Sequence, residues 1–175
     1  MTTKRIVFAA VAALVLAATA SAAIVHGTNS GSQLEAARAA TAQFRDVQNA
    51  KDAGYGELRD AANIACIDLK GEGGMGIHYV NGGFVGDDVI DPLKPEALVY
   101  DPNGNGKHLR LVALEYIVFA ANWTKAAPPS LFARSFDYTP APNRFGIPAF
   151  WSLHAWVFKN NPAGNVMAWN PHVAC

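Results

Sequence analysis

Cysteine is nearly absent from this 175-residue chain, which contains only Cys66 and Cys175. Neither lies in a Cys-x-x-Cys motif, so the usual pattern of a thiol redox centre or a cysteine-rich zinc site is missing. The pair therefore predicts one disulfide, as is typical of proteins in an oxidising compartment. A disulfide over such a long loop would contribute roughly 4–5 kcal/mol in the chain-entropy model. A reactive or metal-binding thiol is the alternative.

Long apolar runs are also missing after the N-terminal region. The basic residues Lys4 and Arg5 precede the apolar run Ile6–Ala18, and small residues follow as far as Ala23. This three-part pattern predicts a secretory signal peptide over residues 1–22, with an uncleaved anchor as the alternative. The run is short for a membrane span, and no later stretch supplies one. We therefore expect a secreted or periplasmic protein with no membrane partner after signal cleavage.

Charge is scarce and almost balanced. The full chain has 14 basic and 14 acidic side chains, and the predicted signal removes two basic residues and no acid, which leaves 12 − 14 = −2. There is no run of lysine and arginine and no basic helix. Nucleic acid and anionic lipid surfaces are therefore excluded as expected partners.

The remaining sequence predicts a flexible linker over residues 23–31 and a single domain over residues 32–175. Ser32–Ala53 has the composition and the apolar stripe of a helix, which Gly54 ends. Gly71–Gly76 indicates a flexible loop. Predicted strands are Ile64–Ile67, Ile77–Val80, Glu96–Tyr100, Leu109–Phe119, Trp151–Phe158 and Val166–Trp169. The predicted fold class is α+β, with the N-terminal helix packed on a mostly antiparallel sheet that could curl into a small β-barrel or sandwich.

The strand predicted for Leu109–Phe119 contains a single acidic residue, Glu115, among apolar neighbours. The two-residue period of a strand places Glu115 on one face with Leu111, Ala113, Ile117 and Phe119. An unpaired buried carboxylate costs several kcal/mol. We therefore expect Glu115 to be protonated, fully hydrogen-bonded, or matched by a cation or a metal.

Two histidines, His78 and His154, lie in other apolar strands. Two imidazoles and one carboxylate form the facial ligand set of many divalent transition metals, with positions left for water, oxygen or substrate. The sequence therefore predicts a metal site at His78, Glu115 and His154 that could be catalytic, with Glu96 or His172 as a further ligand. No His-x-His or His-Glu-x-x-His spacing occurs, so the convergence rests on the strands becoming neighbours.

Three alternatives remain open from the residues alone. The trio could form a structural network in which Glu115 accepts hydrogen bonds from a histidine and from Tyr79 or Tyr116. The protein could instead carry a small apolar or aromatic molecule, or be a surface interaction module. For a pocket, the proline- and aromatic-rich segment Asn122–Phe150 would supply one wall. The predicted lining residues are Tyr79, Glu96, Tyr116, Trp151 and Trp156, together with Trp123 and Phe150.

An ordered set of motifs covers nearly the whole predicted mature chain. They are Met75-Gly-Ile-His-Tyr-Val-Asn81, Pro95-Glu-Ala-Leu-Val-Tyr100, Leu114-Glu-Tyr116, Leu153-His-Ala-Trp156, Asn161-Pro-Ala-Gly164 and Trp169-Asn-Pro-His-Val-Ala-Cys175. In this combination the chain resembles a family of small exported bacterial proteins of unknown function. The resemblance implies a single exported domain with His78, Glu115 and His154 as distinctive polar positions, and it implies no activity.

Overall fold

The computed structural model describes residues 30–102 and 109–175. The predicted signal peptide and residues 23–29 of the predicted linker lie outside these ranges, as does most of the connection that precedes residue 109. Within the described ranges, short N-terminal helices accompany a seven-stranded sheet in which every pairing is antiparallel. The predicted α+β class is therefore confirmed.

The N-terminal helical region is interrupted. Helix α1 spans Ser30–Thr41, a 3-10 turn spans Ala42–Arg45, and helix α2 spans Val47–Asp52. The prediction of one continuous helix is wrong because Asp46 has an extended backbone and its carboxylate accepts a 2.9 Å hydrogen bond from the Gln48 amide, which starts a new helix. A third helix, α3, spans Gly82–Val85. None of the helices in the described ranges is long and apolar enough to cross a bilayer.

The described residues form nine strands, which are numbered in chain order. They are β1 Gly56–Glu57, β2 Cys66–Leu69, β3 Gly73–Val80, β4 Ala97–Asp101, β5 Arg110–Phe119, β6 Ser130–Leu131, β7 Arg134–Ser135, β8 Asp137–Thr139 and β9 Phe150–Ala155. The main sheet has the order β1-β3-β4-β5-β9-β8, β2 also pairs with β3, and β6 and β7 form a separate hairpin. The main sheet is open, so its closure into a barrel is not observed and that alternative is wrong.

The glycine run before His78 is part of strand β3, although the sequence predicts a loop there. Gly74 exchanges backbone hydrogen bonds of 3.1 and 3.0 Å with Asn170 in the C-terminal segment. A Cβ atom on Gly74 would lie 2.8 Å from a Val173 side-chain carbon, so only glycine lets this segment approach the strand. The strand predicted at Val166–Trp169 is not found, and the isolated bridge in this segment is made by the next residue, Asn170.

The two faces of the main sheet bury different residues. One face carries the largest apolar cluster, which includes Tyr79, Tyr100 and Tyr116 and packs against the N-terminal helices through Ala37 and Ala50. The opposite face carries His78, Glu115 and His154. Two segments contribute to the cover of this face, the loop that contains Phe145 and Ile147 and the C-terminal segment that contains Val173.

A bulge in β5 changes the predicted alternation. Val99 pairs with Ala113 whereas Tyr100 pairs with Leu111, so Val112 is an extra residue. Leu111 therefore joins the helix-side cluster with Leu114, and its predicted position on the face of Glu115 is wrong. The predicted disulfide between Cys66 and Cys175 is confirmed.

Candidate metal centre

Three neighbouring regions of the sheet position the polar trio. His78 lies in β3, Glu115 in β5 and His154 in β9, and Glu115 pairs directly with His154 across the β5–β9 ladder. Strand β4 lies between His78 and Glu115, where the residue opposite Glu115 is the fully buried Ala97. Because alanine is small, the longer side chains from the flanking strands can meet above β4.

The ligand atoms of the trio are close together. The Nε2 atoms of His78 and His154 are 3.3 Å apart. His78 Nε2 lies 3.4 Å from Glu115 Oε2, and His154 Nδ1 lies 3.8 Å from Glu115 Oε1. One candidate ligand atom from each residue lies within 4.8 Å of the others. Two ligands bound tetrahedrally to one ion at ordinary bond lengths stand about 3.3 Å apart, so the imidazole pair already has that spacing.

Burial dominates the electrostatics of the trio, whose exposed fractions are 3% for His78, 6% for Glu115 and 2% for His154. It lowers the pKa of His78 to about 4, although the Glu115 carboxylate opposes this shift. It also lowers the pKa of His154 to about 4, against the effect of Asp137. Both imidazoles are therefore neutral near pH 7, which is the form that binds metals.

Glu115 has the opposite response to the same surroundings. Burial raises the pKa of its carboxyl group, while the nearby His78 and a hydrogen bond from the Ser152 hydroxyl lower it. A bound cation would offset the free-energy cost of keeping this buried carboxylate ionised. The trio therefore combines two neutral nitrogen ligands with one acid whose ionised form needs a positive partner.

Hydrogen bonding within the described residues leaves one polar atom of the trio unpaired. His78 Nδ1 is buried and has no hydrogen-bond partner among the described residues. In a purely structural network, both ring nitrogens of a buried histidine would normally be satisfied. Tyr79 and Tyr116, the predicted donors to Glu115, lie on the other face of the sheet. A structural network would therefore consist of the histidine pair, the contact between His78 and Glu115 and the Ser152 hydroxyl, without the predicted tyrosine donors.

A small cavity adjoins the trio. Its volume is about 70 Å³, and both His78 and Glu115 line it. The other lining residues are mostly apolar, with two hydroxyls: Leu58, Met75, Ile117, Thr139, Phe145, Ile147, Phe150 and Ser152. A space of this size admits a few water molecules, whereas pockets for drug-sized ligands measure about 300–1,000 Å³. Among the pocket residues predicted from the sequence, only Phe150 lines this cavity.

Several predicted pocket residues lie elsewhere. The Tyr116 hydroxyl donates a 2.8 Å hydrogen bond to the Pro92 carbonyl, and Tyr79 packs edge-to-face against Tyr100 on the helix side. The Glu96 carboxylate accepts a 2.9 Å hydrogen bond from the Ile117 amide. It lines a different hollow, beside Phe84 and Asp87. The structure therefore does not bring these three predicted residues to the metal centre.

The predicted tryptophans are also separated. Trp156 lies beside His154 with nearly parallel rings whose centroids are 6.2 Å apart, and its indole N–H donates to the Met167 carbonyl. Trp151 and Trp123 line an open surface hollow of about 450 Å³. His172, considered as a further ligand, is exposed and is not part of the cluster.

The lining residues that sequence reasoning missed come from loops and from the glycine-rich end of β3. Leu58, Phe145 and Ile147 are ordinary apolar residues in irregular segments, so no periodic pattern marks them. Met75 follows two glycines that the sequence assigns to a loop. The proline- and aromatic-rich composition of Asn122–Phe150 is the one signal that could have found the cavity wall, and it indicates the segment without selecting residues.

Together these features define a candidate transition-metal site of two histidines and one glutamate, buried on one face of the antiparallel sheet of an α+β fold. Comparison of the chain with protein-family models, with curated proteins and with solved structures gives no match. The functional argument therefore depends on the geometry and chemistry of this site.

Proposed function

We propose that the protein binds one divalent transition metal through His78, Glu115 and His154, and that the bound ion acts on a small molecule in the adjoining cavity. The observation that carries the proposal is the convergence of three buried ligand atoms within 4.8 Å. Imidazole and carboxylate together suit zinc, iron, manganese or copper. Three protein ligands leave at least one position for exchange, as catalytic sites require.

The residues around the trio have defined roles in this proposal. When bound, the ion would supply Lewis-acid activation of water or of another small ligand. Ser152 holds the Glu115 carboxylate through its hydroxyl. Trp156 lies beside His154 with its ring nearly parallel to that imidazole. The mostly apolar cavity wall limits contact with bulk water, which strengthens electrostatic interactions at the site.

The metal content of the purified protein tests the proposal. We expect about one equivalent of a transition metal per chain after loading and desalting, measured by inductively coupled plasma mass spectrometry, as a single three-residue site requires. Glu115→Gln keeps the shape of the side chain but removes its charge, and it should lower the bound metal severalfold.

Matched controls separate the site from general effects of burial and of histidine. Glu96→Gln changes another buried glutamate on the opposite side of the sheet, and His172→Asn removes an exposed histidine. Both variants should bind as much metal per chain as the unaltered protein. Absence of bound metal together with an unchanged melting temperature in the presence of zinc, iron, manganese and copper ions would exclude the proposal.

Export to the periplasm or the exterior is a further part of the proposal. The Cys66–Cys175 disulfide supports it because such bonds persist mainly in oxidising compartments. The resemblance to small exported proteins stays a prediction of the sequence. Cell fractionation with mass spectrometry of the intact protein would test export, and a full-length protein confined to the cytoplasm would contradict it.

A carrier of an aromatic ligand is a second candidate function, and a different surface favours it. The hollow beside Trp123 and Trp151 is also lined by Tyr138, whose ring centroid lies 4.8 Å from that of Trp151. Its volume of about 450 Å³ suits a ligand that the small cavity could not hold. Titration of tryptophan fluorescence with a panel of aromatic ligands tests this function, and Trp151→Ala should abolish any response that arises there.

A further inference from the structure

We propose that the exchangeable ligand of the His78–Glu115–His154 centre is a single small monoanion of no more than about three non-hydrogen atoms, a size set by the neighbouring cavity. Hydroxide is the smallest member of this class, and substrates would be small anions or molecules that become anions at the ion. The inference rests on the proposed metal-binding function and specifies its substrate class.

Charge balance is the first argument. A divalent ion with one carboxylate and two neutral imidazoles leaves one positive charge in a site whose three protein ligands are all buried. A buried uncompensated charge is costly, and one monoanion removes it. A neutral ligand would leave the charge in place, and a dianion would replace it with a negative one.

The charged groups near the trio do not supply this balance. The negative charge of Asp137 acts to raise the pKa of His154, but Asp137 forms an ion pair with Arg134 at 3.1 Å. The positive charge of Arg144 acts to lower the pKa of His78, and Arg144 forms an ion pair with Asp60 at 2.8 Å. Glu96 also interacts with Glu115, but burial raises its pKa to about 8, so this carboxyl is mostly neutral at pH 7. The ligand is therefore the remaining source of the compensating negative charge.

The size of the cavity is the second argument. An engineered apolar cavity of about 150 Å³ is large enough for benzene. The cavity beside His78 and Glu115 measures about 70 Å³, so an aromatic ring does not fit entirely within it. Azide, cyanate and nitrite fit within such a space, whereas benzoate does not.

The lining of the cavity is the third argument. Apart from His78 and Glu115, its polar side chains are the Thr139 and Ser152 hydroxyls. The Ser152 hydroxyl already donates to Glu115, so the Thr139 hydroxyl is the one that can donate a hydrogen bond to a small anion. Among the described residues, no lysine or arginine lines the cavity to hold a second negative charge, so phosphate esters and dicarboxylates would lack a partner for it there.

Visible absorption spectra of the cobalt-loaded full chain test the proposal, because the spectrum changes when a ligand enters the coordination sphere. Azide should give a saturable change at a concentration at least roughly tenfold below that required for benzoate or for acetonitrile, a neutral molecule of similar length. Phosphate should give no change in the same range.

A variant of the cavity wall tests the size limit directly. Phe145→Ala removes a ring from the lining, so benzoate should bind at least roughly tenfold more tightly than to the unaltered protein, with azide little changed. Phe158→Ala removes a half-buried ring that packs against the helix-side cluster and serves as the matched control, so it should leave the selectivity unchanged.

The outcomes distinguish this inference from the function on which it rests. Cobalt binding followed by equal responses to azide, acetonitrile and benzoate would overturn the small-monoanion class and leave metal binding intact. Cobalt binding without any response to azide would do the same. Failure of the chain to bind cobalt or another transition ion would overturn both proposals.

Discussion

At the scale of single residues, two buried glutamates show how the position in one sheet determines the chemistry of a side chain. Glu115 lies on the face that carries His78 and His154, and together with them it forms the candidate metal site. Glu96 lines another hollow, and its carboxylate accepts the Ile117 amide. The first is suited to a cation, while the second has a backbone donor and remains costly to ionise.

The stability of the protein should depend on pH through Glu96. Burial raises the pKa of this carboxyl group from 4.5 to about 8, so the folded protein keeps a proton that the unfolded chain releases. The contribution of the protonated group is present below the unfolded pKa, and it is lost as the pH rises from about 4.5 to about 8. Glu96→Gln should therefore gain stability relative to the unaltered protein at pH 8, on the order of a few kcal/mol.

Urea unfolding at pH 5 and pH 8 measures this effect. The exposed residue Glu72 provides the control, since Glu72→Gln changes the same functional group without altering a buried carboxyl. If Glu96→Gln shifted the urea unfolding midpoint by the same amount at both pH values, relative to the unaltered protein, the raised pKa of Glu96 would be contradicted.

The sequence predicts the trio because a charged or imidazole side chain in an otherwise apolar strand is visible without any structure. Its exact surroundings depend on interactions that no local pattern contains. The bulge at Val112 moves Leu111 to the helix side, and it arises from pairing with β4. Leu58 and Phe145 reach the cavity through loops, so their roles could not be predicted from periodicity.

At the scale of elements, the glycine-rich start of β3 is fixed by close approach of other backbone. Gly76 has φ +108°, and a Cβ atom there would lie 2.6 Å from the Tyr100 carbonyl oxygen. Gly76→Ala should therefore destabilise the protein by roughly 1–3 kcal/mol from backbone strain, with a further cost from the collision. Equilibrium urea unfolding measures the change.

Gly82→Ala is the matched control for this variant. Gly82 is the first residue of α3, and no atom lies within 4 Å of a Cβ added there. It should be neutral or slightly stabilising because alanine restricts the unfolded chain. Equal unfolding midpoints for the two variants would contradict the argument from close approach.

The sequence predicts a loop at Gly71–Gly76 because composition alone does not distinguish a flexible glycine from one that is held by close contacts.

Two loops that line the cavity are joined by Arg144 and Asp60. Both Nε and Nη2 of Arg144 donate to one Asp60 oxygen, and the Ala61 amide donates to the Arg144 carbonyl. The Arg144 guanidinium is the main cause of a lowered pKa at Asp60. The loop containing Leu58 is thereby held against the loop containing Phe145, and each supplies a lining residue.

Arg144→Gln should lower the melting temperature at pH 7. The stabilisation by ionised Asp60 is present above its unfolded pKa and is lost as the pH falls through the lower folded value, so the difference should shrink in acid. Melting curves at pH 7 and pH 3 measure it. Arg38→Gln removes an exposed pair with Glu35 and should have little effect, whereas equal losses from both variants would show that the Asp60 pair has no special role.

At the scale of the whole molecule, the disulfide joins β2 to the segment that pairs with β3. Cys66 and Cys175 are separated by 109 positions. Cys66→Ser should therefore lower the free energy of unfolding by roughly 4–5 kcal/mol in the chain-entropy model. Urea unfolding measures the loss, and Cys175→Ser should give a matching value since either change removes the bond. A Cys66→Ser protein as stable as the unaltered one would contradict this prediction.

The sequence is sufficient to predict the fold class, since a helix-forming region is followed by several short apolar strand patterns. It does not predict how the sheet ends. Closure of a barrel would require β8 to pair with β1 or β2, and these strands lie at opposite borders of the sheet. The order of the strands depends on contacts between distant segments, so no local pattern in the sequence specifies it.

The borders of the main sheet also bear on how molecules of this protein meet one another. One border is divided between β1, of two residues, and β2, of four, and the other is β8, of three residues. A long straight border would offer a row of free amides and carbonyls as a template for a strand of another molecule, and such short pieces interrupt that row. Within the described residues, the borders of the sheet therefore offer little backbone to a strand of a second molecule.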